Sequence, residues 1–328
     1  MNDVVIRKFE HTDVDEFIRL SQISFAEESI AEGITPEDFE HETRRIFRWK
    51  MLPYKLLTAL MGIQWEGFVA EKDGKVVGGG MYIGRNNRMT ITNLMVDPAY
   101  RRQGIGQALL VSRLGRLAEL GFPYVMAQVL DTNLASLQNL KKQNFEIFNQ
   151  FSVYERSLPL PENKDTALPP ITIRAINHSD RALFREIERK ITPPLVIQVK
   201  GSAETQYFLS GWQRLYARFT GYSRWIKAVV ASGKTIGFLC ADFQDRQRKG
   251  VLIQPIVADE DLRFLPAMIQ IAGAWLEKSG KEAMIAEIPD RHTQIQEYLL
   301  ENGWKKQYTW LELVRWLDER ARQKFNSL

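Results

Sequence analysis

Arg101-Arg102-Gln103-Gly104-Ile105-Gly106-Gln107 sets two guanidinium groups and two glycines within seven residues. That composition suits an anion. The first turn of a helix carries unpaired N–H groups and a partial positive charge. Glycine lets the main chain approach a phosphate with no Cβ in the way. A dinucleotide fingerprint requires a third glycine where Leu109 stands, and a nucleoside-triphosphate loop requires a lysine that does not follow Gly106 in register. The four histidines, His11, His41, His178 and His292, show no ligand spacing, so no metal is expected.

The bend needs a strand before it and a helix after it. Asn93 to Val96 reads as the end of a buried strand, and Asp97-Pro98 stops it. Beyond Gly106 the apolar positions Leu109, Leu110, Leu114, Leu117 and Leu120 fall near helical spacing.

In this setting Arg101-x-x-Gly104-x-Gly106 resembles the turn of the GNAT superfamily of N-acetyltransferases, which holds the pyrophosphate of coenzyme A. A second GNAT pattern, N-x-x-A-x-x-x-Y-x-K-x-G-F, is met by Asn133, Lys142 and Phe145, changed mildly at Ser136 and Asn144, and departed from at Leu140. The resemblance implies acetyl-coenzyme A lying in a V-shaped opening between the fourth and fifth strands. Pantetheine then runs along Leu94, Met95 and Val96. The pyrophosphate sits on the amides of Arg102, Gln103, Gly104, Ile105, Gly106 and Gln107, with Arg101 and Arg102 as charge partners. Asn133 joins these contacts through its match, and the Leu94 N–H polarises the thioester carbonyl.

The implied acceptor is an amine, of a small molecule or a peptide, which must lose a proton before it attacks. GNAT enzymes often place a Glu on the fourth strand for this, and a Tyr as acid to the leaving thiolate. Here the strand offers Thr90, Ile91, Thr92 and Asn93, and Leu140 holds the tyrosine position. Glu28, with Glu27 beside it, is the substitute base, and Tyr82 and Tyr154 are the candidate acids. A non-catalytic acyl-coenzyme A sensor is the alternative that the missing groups leave open.

With 328 residues, two domains are expected. Hydrophobic residues make up 45% and charged residues 26%, as in an ordinary soluble protein. Cys240 alone forms no disulfide framework and reads as a buried small hydrophobe. The N-terminus has no signal pattern, and the uncharged run from Leu56 to Trp65 is too short to span a bilayer, so a cytoplasmic address and no membrane partner are expected. A net charge of +4 suits an anionic ligand, and no base-stacking fold accompanies the basic stretch Arg44 to Lys55, so nucleic acid is not the expected partner. Nothing in the sequence fixes an oligomeric state.

In chain order, Val4 to Arg7 reads as a strand, and a helix capped at His11-Thr12-Asp13 carries Val14, Phe17, Ile18, Ser21 and Phe25 on one face. Residues 26 to 34 read as an acidic loop, and Thr35-Pro36 as a new helix start. Ile46 to Ile63 reads either as a membrane-surface helix or as a helical arm that covers a substrate site or packs on a neighbouring domain. Asp73-Gly74 turns a hairpin, and Gly78-Gly79-Gly80 implies that something passes close to the backbone. Tyr124 to Leu130 is a buried strand, Leu134 to Gln143 a short helix, and Phe151 to Arg156 the closing strand.

Residues 158–170, with four prolines, read as a linker. The plan then restarts. Ile173-Arg174 echoes Ile6-Arg7, Gly233 and Gly237 echo Gly74 and Gly78, Trp225 echoes Trp65, and Leu299 to Arg315 echoes Leu140 to Arg156. The expected fold is α/β (α+β): two tandem GNAT-like domains, each a mixed central sheet flanked by helices, over 1–157 and 171–328. In the second copy the anion turn is replaced by Asp259-Glu260-Asp261 without glycine, so that copy is expected to have lost coenzyme binding.

Overall fold

The computed structural model describes residues 4–32, 40, 44, 62–85, 88–161, 170–211, 213–214, 217, 221–245 and 247–326, without side chains at 25–32, 321 and 324–326. The expected helix start at Thr35 and the arm from Ile46 lie outside these, apart from the strand that begins at Ile63. The chain divides into two units: Met1–Phe148 with Leu311–Leu328, and Asn149–Trp310.

The first unit is built on strands β1 (Val4–Lys8), β2 (Ile63–Lys72), β3 (Lys75–Arg85), β4 (Arg88–Val96) and β5 (Tyr124–Leu130), in that order. Leu311–Trp316, the end of the last strand β12 (Lys305–Trp316), lies beside β5. Strands β1 to β4 pair antiparallel, and β4 pairs parallel with β5. Helix α1 (Val14–Glu32) covers one face, with Phe17, Ile18 and Leu20 against Phe9, Val69 and Met95. This corrects the expected acidic loop: residues 26–32 continue the helix, so Glu27 and Glu28 are helical.

Helix α2 (Ile105–Glu119) covers the other face, burying Ile105, Leu109, Leu110, Leu114 and Leu117 against β3, β4 and β5. Each buried leucine contributes about 1.5–3 kcal/mol, so this stripe anchors the helix that starts at the glycine bend. Leu120, expected on the stripe, caps the helix and is 46% exposed. Helix α3 (Leu134–Lys142) follows β5, and α9 (Glu319–Asn326) follows β12.

The second unit repeats the plan. Asn149–Ser157 of β6 (Glu146–Ser157) is followed in space by β11 (Ala283–Pro289), β10 (Lys249–Val257), β9 (Lys234–Gln244), β8 (Tyr222–Ala231) and β7 (Ile171–Arg174). Its helices are α4 (Asp180–Ile191), α5 (Pro194–Lys200), α6 (Glu204–Tyr207), α7 (Leu265–Lys278) and α8 (Thr293–Glu301).

The boundaries differ from a division at 157 and 171. The first half's closing strand belongs from Asn149 onward to the second unit, where it pairs antiparallel with β11, and the first unit takes Leu311–Leu328 instead. Leu311 and Leu313 are buried in the first unit's core, and the Leu317 N–H reaches the Pro123 carbonyl at 2.9 Å. The expected linker is also shorter at its start. Leu158 and Leu160 pack on the second unit's core, and the Leu158 N–H donates to the Glu282 carbonyl at 2.9 Å. Residues 162–169 lie outside the described set.

Duplication is written into the contacts. Arg7 donates to both Asp13 oxygens at 2.7 and 2.9 Å, and Arg174 to both Asp180 oxygens at 2.8 and 2.6 Å. In each, the carboxylate also accepts the N–H three residues before it, from Glu10 and from Asn177, at 2.8 Å. Asp73-Gly74 and Ser232-Gly233 turn with the same positive φ pairs, 52° and 75° against 49° and 79°. The tryptophan echo fails. Trp65 pairs with Ile83 five residues past Gly78, and the residue so placed relative to Gly237 is Asp242, which pairs with Arg224. Trp225 is therefore one position out of register, which turns a strand residue to the other face. Trp65 joins the α1-side cluster, whereas Trp225 stacks on Trp275 of α7 at 5.6 Å.

Among the described residues no helix is long and apolar enough to cross a membrane, and no three His, Cys, Asp or Glu gather as metal ligands do. Cys240 is fully buried, and burial pushes its thiol up to about 12.

Candidate functional site

Strands β4 and β5 run together only at their start. Met89, Thr90 and Ile91 pair with Val125, Met126 and Ala127, and the pairing goes no further. Beyond Ile91 the two strands part, which opens the sheet edge along Thr92 to Val96. On the other side of β4 a bulge lies at the same level. Gly79 pairs with Met95 and Met81 with Thr92, so Gly80 alone faces Asn93 and Leu94. Asn93 takes a left-handed φ of 54° to make the bulge. A bulge leaves ladder groups of the extra residue unmatched and re-aims the chain. Leu94 and Val96 are half-buried, and Met95 is fully buried against Phe17 and Leu20 of α1.

The turn follows directly. Asp97 accepts the Ala99 N–H at 3.0 Å and the Arg19 guanidinium at 2.9 Å, which ends the strand. Arg102 at φ 62° and Gly104 at φ 83° reverse the chain into α2. A side chain at Gly104 meets no atom within 4 Å, so glycine is required there by conformation and not by space. No side chain caps this helix start. The amides of Ile105, Gly106 and Gln107 belong to the first helical turn, where no intrahelical acceptor is available. Arg101, Arg102, Gln103, Gly104 and Gln107 are exposed, and Ile105 is buried as the anchor.

Two residues missed in the sequence border the turn. Lys72, at the end of β2, donates to Gln103 Oε1 at 3.0 Å and lies 5.7 Å from the Tyr100 ring centre. Asn139 of α3 would be 3.8 Å from a Cβ at Gly106. Neither carries a sequence signal, because each comes from an element remote in the chain. Arg101 points its Nε at the Val96 carbonyl, 3.2 Å away.

Residues 30–145 match the model of the acetyltransferase (GNAT) family. That stretch is a GNAT-family domain. Solved structures match nearly the whole chain in fold. The tandem GNAT protein from the clavulanic acid biosynthesis pathway, without acetyl-coenzyme A, superposes with a TM-score of 0.61 at 13% identity, covering 96% of this chain and 99% of that one. A GCN5-related N-acetyltransferase from Sphaerobacter thermophilus gives 0.64 at 16%, covering 96% of each chain. A putative acetyltransferase from Pyrococcus horikoshii gives 0.52 at 17%, covering 96% and 90%. No curated protein matches the sequence. The tandem GNAT fold expected from the duplicated plan is therefore present.

Within the GNAT domain the acid–base candidates are placed as follows. Glu28 lies on α1, a turn beyond Ser24, and its side chain is outside the described residues. Tyr82 is buried and donates to Glu66 at 2.6 Å, where Arg116 also bonds and Lys8 forms an ion pair. Burial, with the Glu66 carboxylate, holds its hydroxyl well above the usual range, so it keeps its proton. Leu140 is in the core. Tyr154 belongs to the second unit's core and donates to Gln296 at 2.9 Å, so it is removed from the candidates of the GNAT domain. Asn133 is the N-cap of α3, its Oδ1 accepting the Ser136 N–H at 3.1 Å.

The second unit has its own parting of strands. β10 and β11 pair from Lys249 with Ala283 to Leu252 with Ala286, and a bulge lies between Ile253 and Ile256. This opening is crossed by side chains. Gln254 Nε2 lies 3.0 Å from His292 Nε2, and the Tyr207 hydroxyl donates to the Gln254 carbonyl at 2.9 Å. Before α7 the chain forms a 3-10 turn over Asp259–Phe264 with three acids, and proline stands in the first turn of the helix. Such an edge offers a phosphate carboxylates where the first unit offers amides.

Proposed function

We propose that the GNAT domain binds acetyl-coenzyme A and transfers its acetyl group to an amine. The observation that carries this is the conjunction of an uncapped α2 start at Gly104 with the parting of β4 from β5 beside the Asn93 bulge. Diphosphate oxygens fit the first-turn amides. Pantetheine fits the open edge of Leu94, Met95 and Val96 as an added strand, since that edge has no ladder partner on β5. The Leu94 N–H then serves as donor to the thioester oxygen.

The amine nitrogen, once deprotonated, attacks the carbonyl carbon. A C–N bond forms, the C–S bond breaks, and the coenzyme leaves as a thiolate that takes up the proton the amine gives up. Glu28 is our candidate for the base. With Tyr82 committed to Glu66 and Leu140 in the core, the thiolate leaves without an acid from those positions.

Titration calorimetry with acetyl-coenzyme A tests the reading. Gly106→Glu is the discriminating variant, because a Cβ there meets only ordinary contacts at 3.6 and 3.8 Å, and a thermal melt checks that the variant is folded. Binding by the native chain and its loss in this variant is the expected result. No heat from the native chain removes the assignment. The absence of any acid at the Leu140 position also favours a second reading, a coenzyme sensor without turnover, which predicts binding with no thiol release over an amine panel.

A further inference from the structure

Arg113, in the middle of α2, is fully buried. Its Nε donates to the Leu109 carbonyl at 3.1 Å, and its Nη1 donates to the Met81 and Thr92 carbonyls, both at 3.1 Å. Met81 and Thr92 are the pair that closes one end of the β3–β4 bulge. Its Nη2 is buried with no hydrogen-bond partner among the described residues, and no carboxylate among them pairs with it. A buried charge without a counter-ion costs several kcal/mol. Burial pulls the guanidinium down to about 9, so at neutral pH it is still a cation. The glycine run makes room for it: a Cβ on Gly80 would lie 2.7 Å from Nη1 and 2.8 Å from Cζ.

The second unit shows that the fold does not need this group. The buried positions of α7, Met268, Ile269, Ala272, Gly273 and Leu276, follow the spacing of Leu109, Leu110, Arg113, Leu114 and Leu117 on α2. Arg113 is thus matched by Ala272. Gly80, two residues past Gly78, is matched by Leu239, two past Gly237. Both replacements are fully buried and apolar. The unit whose opening is crossed by side chains fills the space with hydrocarbon, and the unit with the glycine turn keeps a cation there.

We propose that Arg113 is a positioning residue for acyl transfer: it braces the bulge from beneath and sets a fixed positive charge behind the Leu94 N–H, so that the bound thioester carbonyl is polarised. This rests on the coenzyme reading above. A preorganised positive site in a water-poor environment acts on developing oxyanion charge far more strongly than the same group in water.

The test uses acetyl-coenzyme A labelled with carbon-13 at the carbonyl, read by isotope-edited infrared difference spectroscopy on the full chain. In the native protein the carbonyl stretch should move to lower frequency than in free acetyl-coenzyme A. Arg113→Met should keep affinity within about threefold and lose most of that shift, while Arg113→Lys should retain most of it. If Arg113→Met does not fold, Arg113→Ala with Gly80→Leu copies the second unit's packing and should bind without the shift. An unchanged shift in a folded charge-free variant overturns the proposal, as does native binding with no shift at all; both leave coenzyme binding intact. Failure of the native chain to bind overturns the coenzyme reading itself, and this proposal with it.

Discussion

Gln254 Nε2 stands 3.0 Å from His292 Nε2 where β10 and β11 separate, so the second unit's opening is spanned by a side-chain hydrogen bond. In the first unit the matching residue, Asn93, turns its amide to Met81 Sδ, 3.7 Å away on the neighbouring strand β3. The chain should therefore bind one acetyl-coenzyme A and not two. Calorimetric stoichiometry checks this, and Gln254→Gly should leave it at one, because the acidic turn at Asp259 to Asp261 remains.

His292 sets a pH dependence. Burial lowers its pKa from 6.5 to about 4, with the Arg291 charge acting in the same direction. The unfolded chain takes up a proton below pH 6.5 that the folded chain refuses until about pH 4. Stability is thus intact above 6.5 and falls as pH drops from 6.5 toward 4, by at most roughly 3 kcal/mol. His292→Gln should flatten that part of the denaturation profile. Urea midpoints at a series of pH values measure it.

Tyr82→Phe separates structure from catalysis. The hydroxyl bonds Glu66 at 2.6 Å, and its removal should cost about 1 kcal/mol. Acetyl transfer should be unchanged, since that hydroxyl is already committed to Glu66. A thermal melt and an initial rate on any accepted amine check the two halves; a rate loss of tenfold or more returns Tyr82 to the list of acids.

The two glycines of the turn should respond differently. Gly104→Ala forces a Cβ into φ 83° and should destabilise the fold by roughly 1 kcal/mol. Gly106→Ala, inside the helix with ordinary contacts, should be neutral or stabilising by up to about 1 kcal/mol. Chemical denaturation of both variants decides it.

Local chemistry made the turn legible. Two glycines, a strand stop and a leucine stripe point to one geometry, and the chain adopts it at Gly104. The three glycines of β3 announced a close approach, and the visitors are the Met95 carbonyl at Gly78 and Arg113 at Gly80. What remained hidden was long-range. Arg113 sits at helical spacing within the leucine stripe, and only the opposed glycine explains a cation there. Trp65 and Trp225 match by letter, yet their spacing exceeds that of the paired glycines by one residue, and that single slip puts them one register position apart. The acidic stretch after Phe25 looked like a loop because its charges mask the helix period.

The closing strands set an order of synthesis. Residues 149–310 form one contiguous unit, ready once Trp310 has left the ribosome. The first unit, begun earlier, is closed later, because Leu311 and Leu313 complete its core. A polypeptide halted at residue 310 keeps every residue of the glycine turn and still lacks the strand beside β5. On the proposed reading, a nascent chain should therefore gain acyl-carrier grip only after residues 311–316 have emerged, which ties the onset of reactivity to a completed second lobe.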